Sequence, residues 1–165
     1  MAEGLEPVLI EPIGKVVGGH AVVRDDYQGG VEAIIRLRSD FPEETVLGLD
    51  AFSHLQVVWH FHKASPEDVA LHARSPRNDP KWPPSGTFAH RNHRRPAQIA
   101  VSHPRLLRID GLDLHVTDLD AIDGTPVLDL APYFPTMGPQ GPVHVAPWTT
   151  EMLADYWEAP PQRPA

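Results

Sequence analysis

Nineteen prolines among 165 residues restrict the fold of this chain more than any other feature of its sequence. Proline lacks a backbone N–H and breaks a helix interior, so the sequence excludes a bundle of long helices. Asp110-Gly111 and Asp123-Gly124 lie between short apolar runs, and Asp-Gly is typical of tight hairpins because both residues tolerate positive φ. These features predict a mainly all-β chain, a mostly antiparallel sheet that curls or closes into a barrel, with one or two short helices.

Alternating hydrophobicity locates the individual strands. Residues 8–17 are predicted to form the first strand, and 31–38 alternate with the period of two that a half-buried strand shows. The alternation is clearest over 54–62, where the other face is polar and rich in histidine. The residues of this run that are expected to face the core are Leu55, Val57, Trp59 and Phe61.

Helices are predicted at two places only, residues 43–48 and residues 149–157. The second has Thr149 or Thr150 available as its N-cap. The stretch 63–86 between these regions is long and rich in proline and charge, which predicts either a functional or a flexible loop.

Composition excludes several classes of protein. The length suits one domain, no apolar run approaches the ~20 residues of a membrane span, and the N-terminus lacks the features of an export signal. We therefore expect a cytoplasmic protein. The chain contains no cysteine, which excludes disulfides, thiolate metal sites and cysteine nucleophiles.

Charge is distributed unevenly along the chain. The formal net charge is −8, yet residues 71–108 contain eight Lys or Arg and a single acid, Asp79. A basic segment on an acidic protein indicates a local anionic partner, and a solvated surface loop is the alternative. The cations of the segment are Arg74, Arg77, Lys81, Arg91, Arg94, Arg95, Arg105 and Arg108.

The histidines of the third strand are the first candidates for a metal site. His54, His60 and His62 share strand parity, but no Asp or Glu lies on that face to complete a ligand set. Such histidines more often bond to backbone groups at the rim of a sheet, so we predict no metal ligands here. Common nucleotide-binding and hydrolase fingerprints are absent as well.

Two segments contain residues that suggest ligand binding in addition to a structural role. Residues 86–102 carry arginines whose guanidinium planes pair with carboxylates and stack on bases. Residues 119–133 present acids, a threonine and Tyr133 around a turn, which suits the ammonium and hydroxyl groups of a cationic nucleoside. Ordinary turn chemistry is the alternative for the second segment, because Asp-Gly-Thr-Pro is a good turn sequence.

Four blocks in order resemble the TsaA-like, TrmO-type methyltransferases. PIGKV (12–16) resembles the opening strand of that family, and GLDAFSHLQVVWHFH (48–62) resembles its GL-x-x-FSH…FH block. GTFAHRNHRRPAQIAVS (86–102) is similar to G-x-FA-x-R-x-x-x-RPNPIG-x-S, and DGTPVLDLAPY (123–133) to DGTPVLDIKPY. The resemblance implies a single-sheeted β-barrel, a homodimer and S-adenosylmethionine as cofactor.

The resemblance also implies which residues bind the cofactor. The arginine-proline block and the DGTPV block form the pocket in the family. The matching positions here are Phe88, Ala89, Arg91, Arg95, Pro96, Asp123, Gly124, Thr125, Pro126, Asp129 and Tyr133. The chain departs from the family where Ala97, Gln98 and Ala100 replace the Asn, the second Pro and the Gly of RPNPIG.

The function implied by the resemblance is methylation of an adenosine, at its exocyclic amine, beside the tRNA anticodon. Asp129, His54 and His62 are the candidates for accepting the proton that this amine loses. Arg91 and Arg95 are assigned to the methionine carboxylate, the tRNA backbone or a dimer partner, because a sulfonium repels them.

Two other functions stay open. One is methylation of a small molecule by the same pocket, and the other is a non-catalytic or metal-binding barrel. Residues 1–140 are expected to form the barrel domain, with tRNA contacts through 71–108. Residues 141–165 are expected to form a C-terminal extension whose short helix packs on the barrel or on a partner.

Overall fold

The computed structural model describes residues 3–162, and within them seven strands form one sheet. The strands are β1 (Gly14–Gly18), β2 (Glu32–Leu37), β3 (Leu55–His60), β4 (Ile99–Ser102), β5 (Arg105–Asp110), β6 (Asp113–Thr117) and β7 (Pro126–Pro132). The α-helix is α1 (Pro147–Met152). Short 3₁₀ turns occur at Glu43–Val46, Leu49–Ala51, Pro66–Asp68, Pro76–Asn78, Thr87–Ala89 and Pro135–Met137.

The sheet is antiparallel throughout, in the order β4-β3-β7-β1-β2-β6-β5. This confirms the predicted mainly β, antiparallel architecture. The ladder itself is not closed, but its two ends approach each other at one point. There Leu55 N donates to Pro104 O at 3.0 Å and Leu106 N donates to Ser53 O at 2.8 Å, which joins the start of β5 to the residues before β3.

The core lies inside the curl of the sheet. Leu55, Val57 and Trp59 are buried as predicted, at 0%, 0% and 6% exposure. Phe61 follows the end of β3 and is half-buried, with its ring 4.6 Å from that of Trp59. The period-two pattern therefore predicted the inward face of β3 correctly, because alternation is a local property of extended backbone.

The first strand is shorter than predicted. Residues 8–13 lie outside the ladder and Leu9 is 91% exposed, so β1 begins only at Gly14. Ile13 still donates to Val127 O and accepts from Arg38 N, but β2 ends at Leu37, opposite Gly14, so the residues before Ile13 lie beyond the end of that strand. Pro12, which cannot donate to a ladder, strengthens the break.

Both helix predictions need correction. Residues 43–48 form a 3₁₀ turn that ends at Val46, and Gly48 at φ 81° separates it from the next turn. The C-terminal helix begins at Pro147 and ends at Met152, earlier than predicted. Thr149 is not its N-cap, since proline at the first helical position leaves Ala146 in that role.

The segment after α1 docks on the same chain. Gln28 N donates to Tyr156 O at 2.8 Å, and Tyr27 N donates to Asp155 O at 3.2 Å. Trp82 Nε1 also donates to Glu151 Oε2 at 3.2 Å. The helices within residues 3–162 are all too short or too polar to cross a bilayer.

The loop 63–86 is organised around a buried guanidinium. Arg74 donates to Ala70 O and Thr87 Oγ1, both at 3.3 Å, and to Asn92 Oδ1 at 3.1 Å. A backbone bridge joins Arg74 to Ser85. Arg74 therefore supports the fold of the loop from within, although the sequence placed it in the basic segment.

Candidate functional site

The two segments that the sequence analysis singled out meet on the outer side of β4, β3 and β7, a surface called the outer face below. Its central row is Val101, Val58 and Asp129, which are paired across the three strands. Paired residues on neighbouring strands place their side chains side by side, with Cβ atoms ~5 Å apart. Because Val57 and Trp59 point into the core, Val58 and its cross-strand neighbours point outward.

Asp129 is the carboxylate of this face. It is exposed and lies beside the bulge between Val58 and Trp59. Its side chain forms no hydrogen bond or ion pair with the described part of the chain. A free carboxylate on an otherwise apolar row suits a cationic ligand.

Arg91 and Arg95 cover the free edge of β4. Arg91 Nη2 donates to Val101 O at 2.8 Å, and Arg95 Nη2 donates to Ile99 O. Carbonyls of alternate residues in a strand point to the same side. Those of Gln98 and Pro104 accept from the β3 region, so those of Ile99 and Val101 point away from it. The two guanidiniums therefore satisfy an exposed sheet edge and are held beside the outer face.

The charges of these arginines are close together. Burial, and after it the charge of Arg91, lowers the pKa of the Arg95 guanidinium. Neither side chain forms an ion pair within residues 3–162. Such an arrangement favours an anionic group at this edge.

The departure from the family pattern at Gln98 changes the loop. Gln98 has φ 50°, a value that proline cannot adopt, and it is 7% exposed. Its Nε2 donates to Ser65 O at 2.8 Å and to His93 O at 3.1 Å. The side chain thus holds residues 93–98 against the loop that follows β3.

The remaining candidates of the arginine-proline block lie on the rim. Phe88 is 81% exposed, and Ala89 and Pro96 are exposed as well. An exposed aromatic ring beside a cationic loop is available for stacking on a nucleobase.

The turn at 123–126 is attached to β1. Asp123 Oδ1 accepts from Gly18 N at 2.8 Å, and Gly124 N donates to Val16 O at 2.8 Å. Gly124 adopts φ 84°, which the turn requires and which favours glycine. Thr125 is 1% exposed and its Oγ1 donates to Ile122 O, so its side chain lies inside the fold.

The first residue of β7, Pro126, is half-buried opposite Lys15. The structure therefore places the turn of the DGTPV block apart from Asp129 and Tyr133, which follow later on β7. The turn lies beside His62, at the end of β3 where Phe61 N donates to Gln98 O. Asp129 is separated from Val101, the residue that Arg91 contacts, by Val58 of β3. Tyr133 lies at the opposite end of β7 and packs against His103.

The histidine candidates lie at opposite ends of β3. His54 precedes the strand, with Nδ1 2.8 Å from Ser53 Oγ. His62 follows it, and its Nε2 is 3.5 Å from the position that a Cβ on Gly124 would occupy. Burial, then the charges of Lys63 and His60, lowers the pKa of His62. At ~3.3 Å per residue the two histidines are more than ~20 Å apart, so they cannot serve the same reacting atom.

Sequence reasoning missed two polar residues beside this face, His103 and Asp120. His103 follows β4 and packs edge-on against Tyr133, with ring centroids 5.1 Å apart. Asp120 accepts from Ser102 Oγ and, at 2.5 Å, from the hydroxyl of Tyr156. No local signal identifies Asp120, because these partners are 18 and 36 residues away.

On the outer face Asp129 is exposed, and Val58 and Val101 are half-buried. Two hollows of the described chain lie elsewhere: one is apolar, about 170 Å³, and lined by Ile13, Phe41 and Leu130 among others, and the second is beside Lys15 and Arg36. Residues 3–162 contain no group of three His, Asp or Glu that could hold a metal ion.

Six cations of the basic segment form no ion pair among the described residues: Arg74, which is buried, and Arg91, Arg94, Arg95, Arg105 and Arg108. Arg77, in contrast, is paired with Asp26 at 2.8 Å. The cations that are free for an anionic partner are therefore confined to the loop before β4 and to β5, which is the other edge strand of the sheet.

Comparison with known proteins gives consistent matches. The model of the tRNA-methyltransferase O N-terminal domain family matches residues 24–138. A mouse tRNA (adenine(37)-N6)-methyltransferase is 33% identical over 105 residues, which are 61% of this chain and 24% of that protein. A probable S-adenosyl-L-methionine-binding protein of Pyrococcus abyssi is 34% identical over 112 residues, 67% of this chain and 54% of the relative.

The fold is found among solved structures. The crystal structure of TrmO from Pseudomonas aeruginosa superposes with a TM-score of 0.70 at 24% identity, covering 88% of this chain and 63% of that one. The chain thus spans about a quarter of the mouse relative and about half of the archaeal one.

Proposed function

The chain belongs to the tRNA-methyltransferase O N-terminal domain family, and we propose from this membership that it transfers a methyl group from S-adenosylmethionine to tRNA. The acceptor is the exocyclic amine of the adenosine beside the anticodon, as in the relatives named for N6 methylation of adenine 37. The observation that supports the proposal is that β4, whose edge Arg91 and Arg95 cover, and Asp129 of β7 lie on either side of β3 on one face.

The chemistry of these side chains fits the cofactor. The free carboxylate of Asp129 suits a positively charged sulfonium, and Arg91 keeps donors for the methionine carboxylate after its bond to Val101 O. The exposed ring of Phe88 suits stacking on the adenine. When bound, S-adenosylmethionine supplies a methyl group on an electrophilic sulfonium, so the residues of this chain chiefly have to orient donor and acceptor.

The unpaired arginines support tRNA as the anionic substrate. Arg105 and Arg108 project from an edge strand and are exposed, which makes them accessible to a phosphate backbone. The affinity of a protein for a nucleic acid falls as the salt concentration rises. The slope of log affinity against log salt is ~0.7–0.9 for each phosphate that the protein neutralises. The combined Arg105→Ala and Arg108→Ala variant should therefore reduce the slope of log affinity against log salt for tRNA by ~1.4 to 1.8.

Arg36→Ala is the matched control for this variant. Arg36 is already paired with Asp113 at 2.7 Å, so its loss should leave the salt slope unchanged. Equal effects of the two variants would contradict a phosphate contact at β5.

We also propose that the enzyme is a homodimer in the cytoplasm, residues 1–140 being the catalytic barrel and 141–165 the extension. The open outer face supports dimerisation, because a second copy would enclose a cofactor that one chain leaves exposed. The contacts of α1 and Tyr156 with residues of the same chain support packing of the extension on its own barrel.

Calorimetric titration with S-adenosylhomocysteine, followed by transfer of labelled methyl groups to unmodified tRNA, tests the proposal. Binding together with transfer to adenosine is expected. The net charge of −8 favours a second candidate, methylation of a small molecule. Binding of S-adenosylhomocysteine without salt-dependent tRNA binding would favour that candidate, and no binding at millimolar concentration would refute both.

A further inference from the structure

His103 occupies a fixed position at one end of the outer face. It follows Ser102, whose side chain points inward to accept from Trp59 Nε1 at 2.9 Å. Successive side chains of a strand alternate, so His103 projects outward. The next residue, Pro104, is anchored because its carbonyl accepts from Leu55 N at 3.0 Å.

Several groups surround the His103 ring. Tyr133 at the end of β7 packs against it edge-on. His54 precedes β3, Arg91 is attached to Val101 two residues earlier, and Asp120 is bonded to Ser102. These are the aromatic, titratable and charged groups that face His103 from the elements packed against it.

The environment of His103 favours the neutral imidazole. His103 is exposed, and its ring packs edge-on against Tyr133. The partial burial of the ring, and after it the charge of Arg91, holds the pKa of His103 below its ordinary value, and Asp120 acts in the opposite direction. A neutral imidazole has a free nitrogen lone pair, which an acceptor of protons needs.

The other candidates are placed less favourably for this role. His54 Nδ1 already interacts with Ser53 Oγ, and His62 lies at the far end of β3 beside Gly124. Asp129 is exposed and better suited to a cationic sulfur than to accepting a proton at neutral pH. Only His103 combines an outward ring with contact to Tyr133, which lies in the family block proposed to bind the cofactor.

We propose that His103 is the catalytic residue that accepts the proton from the methylated amine, an inference that rests on the proposed function. The exocyclic nitrogen of the adenine forms the bond to the methyl carbon, while the carbon–sulfur electron pair goes to the sulfur. The nitrogen then carries one proton too many. That proton passes to a ring nitrogen of His103, and the resulting imidazolium releases it to water.

Single-turnover methylation of tRNA, measured from pH 5.5 to 9, tests this assignment. His103→Gln should lower the rate at pH 7 by ~100-fold, the lower end of what general base catalysis contributes, and should remove the acid limb of the pH profile. Its affinities for S-adenosylhomocysteine and tRNA should stay within twofold of wild type. His144→Gln, which removes an exposed imidazole outside this cluster, is the control and should match wild type.

A second variant protects the test against a structural artefact. His103→Ala leaves a gap beside Tyr133, and added imidazole should restore its turnover in proportion to the concentration of free base. A His103→Gln rate within threefold of wild type, an acid limb that persists, or no rescue by imidazole would overturn the assignment while leaving the proposed function intact. If wild-type protein transfers no methyl group to tRNA, the proposed function fails and the assignment falls with it.

Discussion

Replacing Tyr156 by phenylalanine tests how firmly the C-terminal segment is attached to the sheet. The Tyr156 hydroxyl donates to Asp120 at 2.5 Å, and Asp120 also accepts from Ser102, which accepts in turn from Trp59. This chain of hydrogen bonds joins the extension to the core. Tyr156→Phe removes one donor from a carboxylate and leaves the ring in place.

The expected loss of stability in Tyr156→Phe follows from the charge of the acceptor, Asp120. A hydrogen bond to a charged group contributes ~1.5–3 kcal/mol, so we expect the free energy of unfolding to fall by about 2 kcal/mol. For a chain of this size 1 kcal/mol shifts Tm by ~2–4 °C, which predicts a Tm lower by ~4–8 °C. Urea denaturation should show a lower midpoint with an unchanged m value.

Tyr133→Phe is the matched control for this change. It removes a hydroxyl whose oxygen forms no hydrogen bond within residues 3–162, so the free energy of unfolding should change by less than ~0.5 kcal/mol. Equal stabilities of wild type and Tyr156→Phe, or equal losses in the two variants, would refute the reasoning.

Four further predictions concern the same surfaces. Burial, then the charge of Asp120, raises the pKa of Tyr156, so its contribution to stability is complete below pH ~10 and falls by ~1.4 kcal/mol per pH unit above it. The stability gap to Tyr156→Phe should therefore narrow in denaturation at pH 11. Gly29→Ala places a Cβ against Trp157 O, so it should detach the extension and raise amide exchange at residues 155–158. Gly30→Ala, at a position with open space, should show only backbone strain and leave that exchange unchanged. Asp129→Asn removes the free carboxylate and should weaken binding of S-adenosylmethionine more than binding of the uncharged product, as measured by calorimetry; equal losses would assign the residue to the fold. Arg95→Ala frees the carbonyls of Asn92 and Ile99, so hydrogen exchange should rise across 92–99, with no such rise in Arg94→Ala.

The face of each strand was predictable from the sequence because alternation is local. Leu55, Val57 and Trp59 are buried as the period of two required. The hairpin predicted at Asp110-Gly111 joins β5 and β6, but its two turn residues are Gly111 and Leu112, because Asp110 still pairs with Asp113. The four family blocks were recognisable in the same way, since each is a contiguous run of residues. Their meeting on one face was expected from the resemblance alone.

The partners of the polar groups were decided by the tertiary structure. Asp123 lies in a turn that the sequence identified, yet its carboxylate caps Gly18, 105 residues away. Arg91 and Arg95 carried the expected charge, but their carbonyl acceptors follow from β4 being an edge strand, which depends on the order of all seven strands.

The same reason explains the short first strand and the role of Asp120. A strand extends only as far as a partner strand does, so the end of β2 at Leu37 limits β1. Asp120 links two distant segments because it accepts hydrogen bonds from Ser102 and Tyr156, and no local sequence pattern connects it with either residue. Hydrophobic period and turn chemistry are properties of neighbouring residues and can be read along the chain, whereas hydrogen-bond partners and sheet edges exist only once distant segments have been brought together.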